Sequence, residues 1–216
     1  MRKTTIVFSL LFVFFGMDVT AQAAWELAKE KGDLQVYTRK QEGTDYKEVK
    51  VLTVVHSSIN ELVAAMEDVE SQPDWAEGTK EARVIEQLGT GSFLIYQISD
   101  MPYPVQDRDV VMKYTRTQDP STKVVTIEFV NVSDKKPVDE NYVRIPSLHS
   151  KYILSPTADN KIDLQYQLNI NMGGKLPKWV INMGITKGTV DSLEGLIDLV
   201  ESGEYKGTTV EGLQEF

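Results

Sequence analysis

Met101-Pro102-Tyr103-Pro104-Val105-Gln106-Asp107-Arg108-Asp109-Val110-Val111 is the stretch on which the fold turns. Two prolines bracket an aromatic and end the strand before them, because proline has no amide to give to a ladder. Arg-Asp then opens a new strand whose next residues are apolar. In that strand Arg108 shares its phase with Val110, Met112 and Tyr114, while Asp109, Lys113 and Thr115 take the other face. If the apolar phase faces an enclosed space, a guanidinium faces it too, near the strand's mouth. A desolvated charge needs a partner. An acidic side chain could supply it, or a lipid phosphate or carboxylate, which suits the fork of arginine donors.

Working outward, strands dominate. Period-two patterning predicts them over 33–40, 46–55, 82–88, 92–99, 108–117, 124–132, 142–154 and 162–171. Val125, Ile127 and Phe129 alternate with Thr126 and Glu128, and Leu164, Tyr166 and Leu168 alternate with Gln165 and Gln167. One face of each strand meets apolar material and the other meets water. A turn containing Gly43, then Gly89-Thr90-Gly91 and Asp159-Asn160, are turn signals, and short turns imply an antiparallel meander. One helix interrupts early. Ser57 or Ser58 caps it, Glu61 completes a capping box with Ser58, and Ile59, Leu62, Val63 and Met66 share a face up to about Val69. Pro73 and Trp75 follow in an irregular segment.

After Pro177 a long helix carries Val180, Met183, Val190, Leu193, Ile197 and Val200 as an apolar stripe. Gly184, Gly188 and Gly195 lie inside it, each costing about 1 kcal/mol relative to alanine. Two readings are open: close packing of helix on sheet, or a helix kept pliable to admit a ligand.

The chain opens with Arg2-Lys3, an apolar run over 6–16 interrupted by Ser9, and Ala21-Gln22-Ala23. This is the pattern of a cleaved signal peptide, predicted over 1–23, with one domain over 24–216 exported to a periplasm or secreted. There is no cysteine, so that domain stands on its core without disulfides. The net charge of −9 argues against nucleic acid and against tight docking on anionic lipid.

Catalysis has little to work with. The two histidines, His56 and His149, read as structural. No cysteine nucleophile, Gly-x-Ser-x-Gly elbow or metal-spaced histidine pair occurs. Asp107 and Asp109 read as ion-pairing groups. Asn131-Val132-Ser133 fits a glycosylation sequon. We expect no catalytic residue, metal or cofactor.

Pro102-Tyr103-Pro104-Val105-x-Asp107-Arg108-Asp109, then Gly173-Gly174-x-Leu176-Pro177-x-Trp179, with Trp25 and Gly32-Asp33-Leu34-Gln35-Val36-Tyr37 at the start, resemble the StAR-related lipid transfer (START) family over nearly the whole predicted domain. Tyr103, and also Tyr152, stand where tryptophan is more usual. The resemblance implies an α+β helix-grip fold: a curved antiparallel sheet wrapped around a long C-terminal helix, enclosing an apolar cavity. It implies a lipid ligand such as a sterol, fatty acid or phospholipid. Carried over, the gate would comprise Met101, Pro102, Tyr103, Pro104, Trp179 and Met183. The expected cavity wall is Arg108, Val110, Met112 and Tyr114 on one strand, Val125, Ile127 and Phe129 on another, and Leu164, Tyr166 and Leu168 on a third.

The expectation is therefore a non-enzymatic monomeric carrier of one lipid or other hydrophobic small molecule, touching membranes transiently. A chain of about 16 methylenes gains roughly 13 kcal/mol on leaving water, so it crosses an aqueous compartment slowly unless something covers it. Two other readings are a cyclase or aromatase-like enzyme on the same fold, with Arg108, Tyr114 and Tyr166 as its polar groups, and a protein-binding module whose cavity is vestigial.

Overall fold

A computed structural model describes residues 23–41 and 46–215; in the last helix the side chains of residues 178, 179, 182 and 183 are excepted. The predicted leader up to residue 22 and the Gly43 turn lie outside the described residues. The strands are β1 (Glu26–Lys31), β2 (Leu34–Lys40), β3 (Lys47–Val55), β4 (Thr79–Gly89), β5 (Ser92–Ser99), β6 (Arg108–Gln118), β7 (Val125–Asn131), β8 (Val143–Arg144), β9 (Ser147–Thr157) and β10 (Lys161–Asn171). The helices are α1 (Ile59–Glu67), α2 (Gln72–Trp75) and α3 (Lys178–Glu201). The strands form one open sheet in the order β1-β2-β3-β10-β9-β7-β6-β5-β4, antiparallel throughout, with the short β8 lying parallel to the start of β6.

Register explains why the predicted wall faces one way. Phe93 stands opposite Tyr114, Tyr114 opposite Phe129, Phe129 opposite Ser150, and Ser150 opposite Leu168. One row further along, Ile127, Tyr152, Tyr166 and Val51 align. Because the side-chain period is two, these rows put every apolar phase on the same inner face. That face, with α1 and α3, is the main core. Beneath the 133–142 loop the outer face carries a second, small cluster of Tyr96, Ile98 and Val111, against which Ile85, Val132 and Tyr142 pack. The side chains of Arg83 and Lys136 stack on the Tyr96 ring.

The α1 cap forms as its sequence predicts: the Ser58 hydroxyl accepts from the Glu61 amide, and the Glu61 carboxylate accepts from the Ser58 amide. Ile59, Leu62, Val63 and Met66 are buried. At the hairpin between β9 and β10, Asp159 and Asn160 both take positive φ, the conformation of a tight hairpin turn.

Four elements differ from the sequence reading. β1, Glu-Leu-Ala-Lys-Glu-Lys, is exposed along its whole length and has no alternation to betray it. As an edge strand its charges discourage pairing with another chain. The strand predicted over 142–154 is broken by Pro146, which separates β8 from β9. The segment of Pro73 and Trp75 is the short α2, with proline in its first turn. The tail after α3 is built into the fold. Glu215 accepts from the Ile59 and Asn60 amides at the start of α1, and the Glu211 carbonyl accepts from Arg116.

Candidate functional site

The inner face between the middle strands and α3 is the candidate ligand site. α3 makes its main close approaches to β3, α1 and α2. Under it, Val36, Val49 and Val51 are fully buried. Among the described residues the middle strands come less close to it. Tyr152 on β9 packs against the main core yet keeps accessible surface, and so do Leu148, Leu168, Met172 and Leu176. Such partly covered apolar groups mark the stretch of the inner face that the described side chains leave open.

Across this space runs a band of aromatic rings, one from each of five neighbouring strands. Phe93 stacks on Tyr114 with centroids 4.4 Å apart, Tyr114 meets Phe129 edge-on at 5.2 Å, Phe129 meets Tyr152 at 6.1 Å, and Tyr152 tilts against Tyr166 at 4.4 Å. Each such pair contributes about 0.5–1.5 kcal/mol beyond its area. The band is rigid and mostly apolar, with its hydroxyls engaged. Tyr114 donates to Glu67 at 2.9 Å, where Arg116 also donates at 2.8 Å. Burial, then the Glu67 charge, pushes the Tyr114 hydroxyl pKa far up. Tyr152 and Ser150 hydrogen-bond the Tyr166 hydroxyl, and burial pushes Tyr166 up to about 12. These phenols stay neutral in any ordinary medium.

Of the predicted wall, Val110, Met112, Tyr114, Val125, Ile127, Phe129, Leu164 and Tyr166 are buried on the inner face, and Leu168 is half-buried there. The sequence reading missed Phe93 and Tyr152, whose alternation is hidden because β5 is buried on both faces and β9 sits in an irregular run. Val125, Ile127 and Leu164 have almost no accessible surface and pack as core.

Arg108 and Asp109 part company across the sheet. Asp109, fully buried, takes a two-pronged contact from Arg144 at 2.8 and 2.9 Å, with the Tyr96 hydroxyl at 3.2 Å. Arg144 also donates to the carbonyls of Ser133, Lys136 and Pro137, so this pair ties the 133–144 loop to the outer face. Arg108 points inward, 2 % exposed. It donates to the carbonyls of Gln106 and, at 3.5 Å, Gly173. Asp107 pairs with Lys80 at 2.8 Å and accepts the Met101 amide at 3.1 Å. Both aspartates ion-pair, as expected, with bases other than the arginine between them.

The predicted gate loop ends in a fully displayed aromatic. Tyr103 is 97 % exposed, Pro102 and Pro104 are exposed, and Met101 is half-buried. The side chains of Trp179 and Met183, the other half of the predicted gate, lie outside the described residues. Arg108 nonetheless joins the backbones of both halves, since Gln106 belongs to the loop and Gly173 to the turn leading into α3.

The helix glycines divide. A Cβ on Gly195 would stand 2.3 Å from the Trp75 carbonyl oxygen, so this glycine is required by close packing against α2 rather than against the sheet. Gly184 and Gly188 have nothing within 4 Å of that position, and packing does not explain them. Both histidines sit beside carboxylates, His56 near Glu201 and His149 near Glu128. The sequon asparagine donates to the Ile145 carbonyl and accepts from the Ser133 amide, a local structural task. Among the described residues no cluster of three metal-ligating side chains occurs, and no helix is long and apolar enough to cross a membrane.

The START domain model matches residues 10–202. An uncharacterised protein of Pseudomonas aeruginosa is 28% identical over 188 residues, covering 87% of this chain and 92% of that one. The bovine phosphatidylcholine transfer protein is 27% identical over 195 residues, covering 86% of this chain and 87% of that one. Among solved structures, a StAR-related lipid transfer protein fragment from Xanthomonas axonopodis superposes with a TM-score of 0.75 at 24% identity, over 82% of this chain and 98% of that one. This last likeness bears on the fold alone.

Proposed function

Because the chain belongs to the START domain family, we propose that it holds a single hydrophobic ligand between the middle of its sheet and α3 and carries it through an aqueous compartment outside the cytoplasm. Lipid binding is the general property that the family and its lipid-transfer relatives support. The observation that carries the reading for this chain is the partly accessible apolar surface around Tyr152 on the inner face, beside a helix whose described close approaches fall mainly on β3, α1 and α2.

Release requires that hydrocarbon replace the cavity wall, which happens at a membrane. The 101–107 loop suits that step: it presents Tyr103 between two prolines at the surface. Tyrosine favours such interfaces because one end is apolar and the other wet. The leader pattern at the N-terminus supports export before the carrier acts. The charged, exposed edge strand β1 suits a monomer.

Native mass spectrometry of the protein purified gently from its own compartment, followed by lipid extraction, tests the proposal. One copy of a defined lipid per chain is expected. A chain that stays empty after incubation with mixed membrane lipids would refute carriage and favour the protein-binding module. Chemical conversion of the bound molecule would favour the enzyme.

A further inference from the structure

Resting on the carrier reading, we propose that Arg108 is an anion-binding site inside the concavity and takes the phosphate or carboxylate of the bound lipid. Every other arginine of the described residues has a carboxylate: Arg39 pairs with Glu48, Arg83 with Glu81, Arg116 with Glu67 and Arg144 with Asp109. Arg108 is the exception, and it is also among the most buried charges in the molecule at 2 % exposure. Its two flanking aspartates are committed to Lys80 and Arg144. Among the described residues its hydrogen bonds go to two neutral carbonyls, Gln106 and Gly173. Its Nε–H is buried and finds no acceptor among them.

An unpaired buried cation is costly, and proteins keep one where a ligand completes it. Burial lowers the affinity of this guanidinium for its proton, and the nearby Asp107 charge offsets that only in part. A phosphate or carboxylate oxygen would satisfy Nε–H and bind more strongly than the neutral carbonyls, since ionised partners make hydrogen bonds roughly twice as strong. Access is short. Gly174 is exposed at φ +66°, and a Cβ there would lie 3.5 Å from a terminal guanidinium nitrogen, so a single layer of backbone separates the charge from the surface. From Arg108 the inward phase continues through Val110 and Met112 to Tyr114. The seven residues from Arg108 to Tyr114 span about 20 Å of strand, so an acyl chain held at Arg108 by its polar end points along the strand toward the aromatic band. Because the same guanidinium holds Gln106 and Gly173, an arriving anion competes with the contacts that join the two halves of the gate.

The test uses two matched pairs: dioleoylphosphatidylcholine against dioleoylglycerol, and oleate against oleyl alcohol, each loaded from vesicles onto the full protein and read by native mass spectrometry. We expect the anion-bearing member of at least one pair to bind about tenfold to a hundredfold more tightly, as one charge-assisted bond implies. Arg108→Met should bring the two members of each pair to within about twofold of each other, read as their ratio in one sample. Since the variant could fail to fold, the Arg108 Nε–Hε resonance of the native protein gives a second readout. It should move on loading the anionic member and stay still with the neutral one. Equal binding of both members, or discrimination that survives Arg108→Met, overturns the anion site while leaving carriage standing. Failure to take up any of the four lipids overturns carriage itself, and the anion site with it. A resonance that moves with excess inorganic phosphate but with no lipid assigns the site to a free anion and overturns its role in holding the ligand.

Discussion

Replacing Gly184 and Gly188 together by alanine should stabilise this protein. Among the described residues neither position has an atom outside its own helical turn within 4 Å of where a Cβ would stand, and both lie inside the 24-residue α3. No clash offsets the gain in helix propensity, which is about 1 kcal/mol per site and therefore about 2 kcal/mol for the pair. For a domain of this size that raises Tm by roughly 4–8 °C, at 2–4 °C per kcal/mol. Gly195→Ala supplies the internal control. It offers the same propensity gain but drives its methyl to 2.3 Å from the Trp75 carbonyl oxygen and 3.1 Å from the carbonyl carbon, so α2 must shift. Overpacking of this kind costs about 1–3 kcal/mol, and the melting temperature should fall or stay level. Circular-dichroism melts at 222 nm on the three proteins decide the matter. A double variant that melts at or below the native temperature, or a Gly195→Ala protein stabilised as much as the pair, would refute the reasoning. The same double variant bears on transport. If α3 bends to admit ligand, exchange of lipid between vesicles should slow several-fold as the helix stiffens.

Asp109→Asn should cost about 3–5 kcal/mol in urea unfolding, because it leaves the largely buried Arg144 without its carboxylate. Glu215→Ala should cost about 0.5–2 kcal/mol in the same assay, since its carboxylate serves the amides at the start of α1. The Lys80 hydrogen bond, then the Met101 amide, holds the Asp107 carboxyl below its ordinary range. Its contribution is therefore present above the unfolded carboxyl pKa and is lost as pH falls through the lower folded value. Hydrogen exchange at the Met101 amide, corrected for intrinsic rate, should accelerate below about pH 4, and Asp107→Asn should remove that dependence.

Alternation carried most of the fold. On β7 and β10 one face is buried and the other wet, so period two is visible in the residues themselves and the inner face could be read from the sequence. Where both faces are buried, as on β5, or neither is, as on β1, the pattern vanishes. Long-range charge pairing was equally hidden. The partner of Asp109 lies 35 residues away, on a two-residue strand behind Pro146, and nothing local in either segment names the other. The tail contacts that cap α1 connect residues 155 and 156 positions apart. Arg108 was legible as an inward charge from its phase. That its flanking aspartates would turn to other bases was a matter of packing, and packing is decided in three dimensions.

The strand order also dictates when the molecule can finish folding. β3 ends at Val55 and its neighbour β10 begins at Lys161, so the seam between them joins the first three strands to the rest across most of the chain. During synthesis β1, β2 and β3 can pair with one another as they emerge, but β3 keeps a bare edge, flanked by Val49, Val51 and Val55, until β10 arrives. Such distant pairing makes assembly slow, and an exposed apolar edge is an invitation to other chains. The ring band from Phe93 to Tyr166 lies wholly on the late side of that seam, so closing it falls to the β3–β10 ladder and to α3, which packs over β3 and is the last helix to emerge.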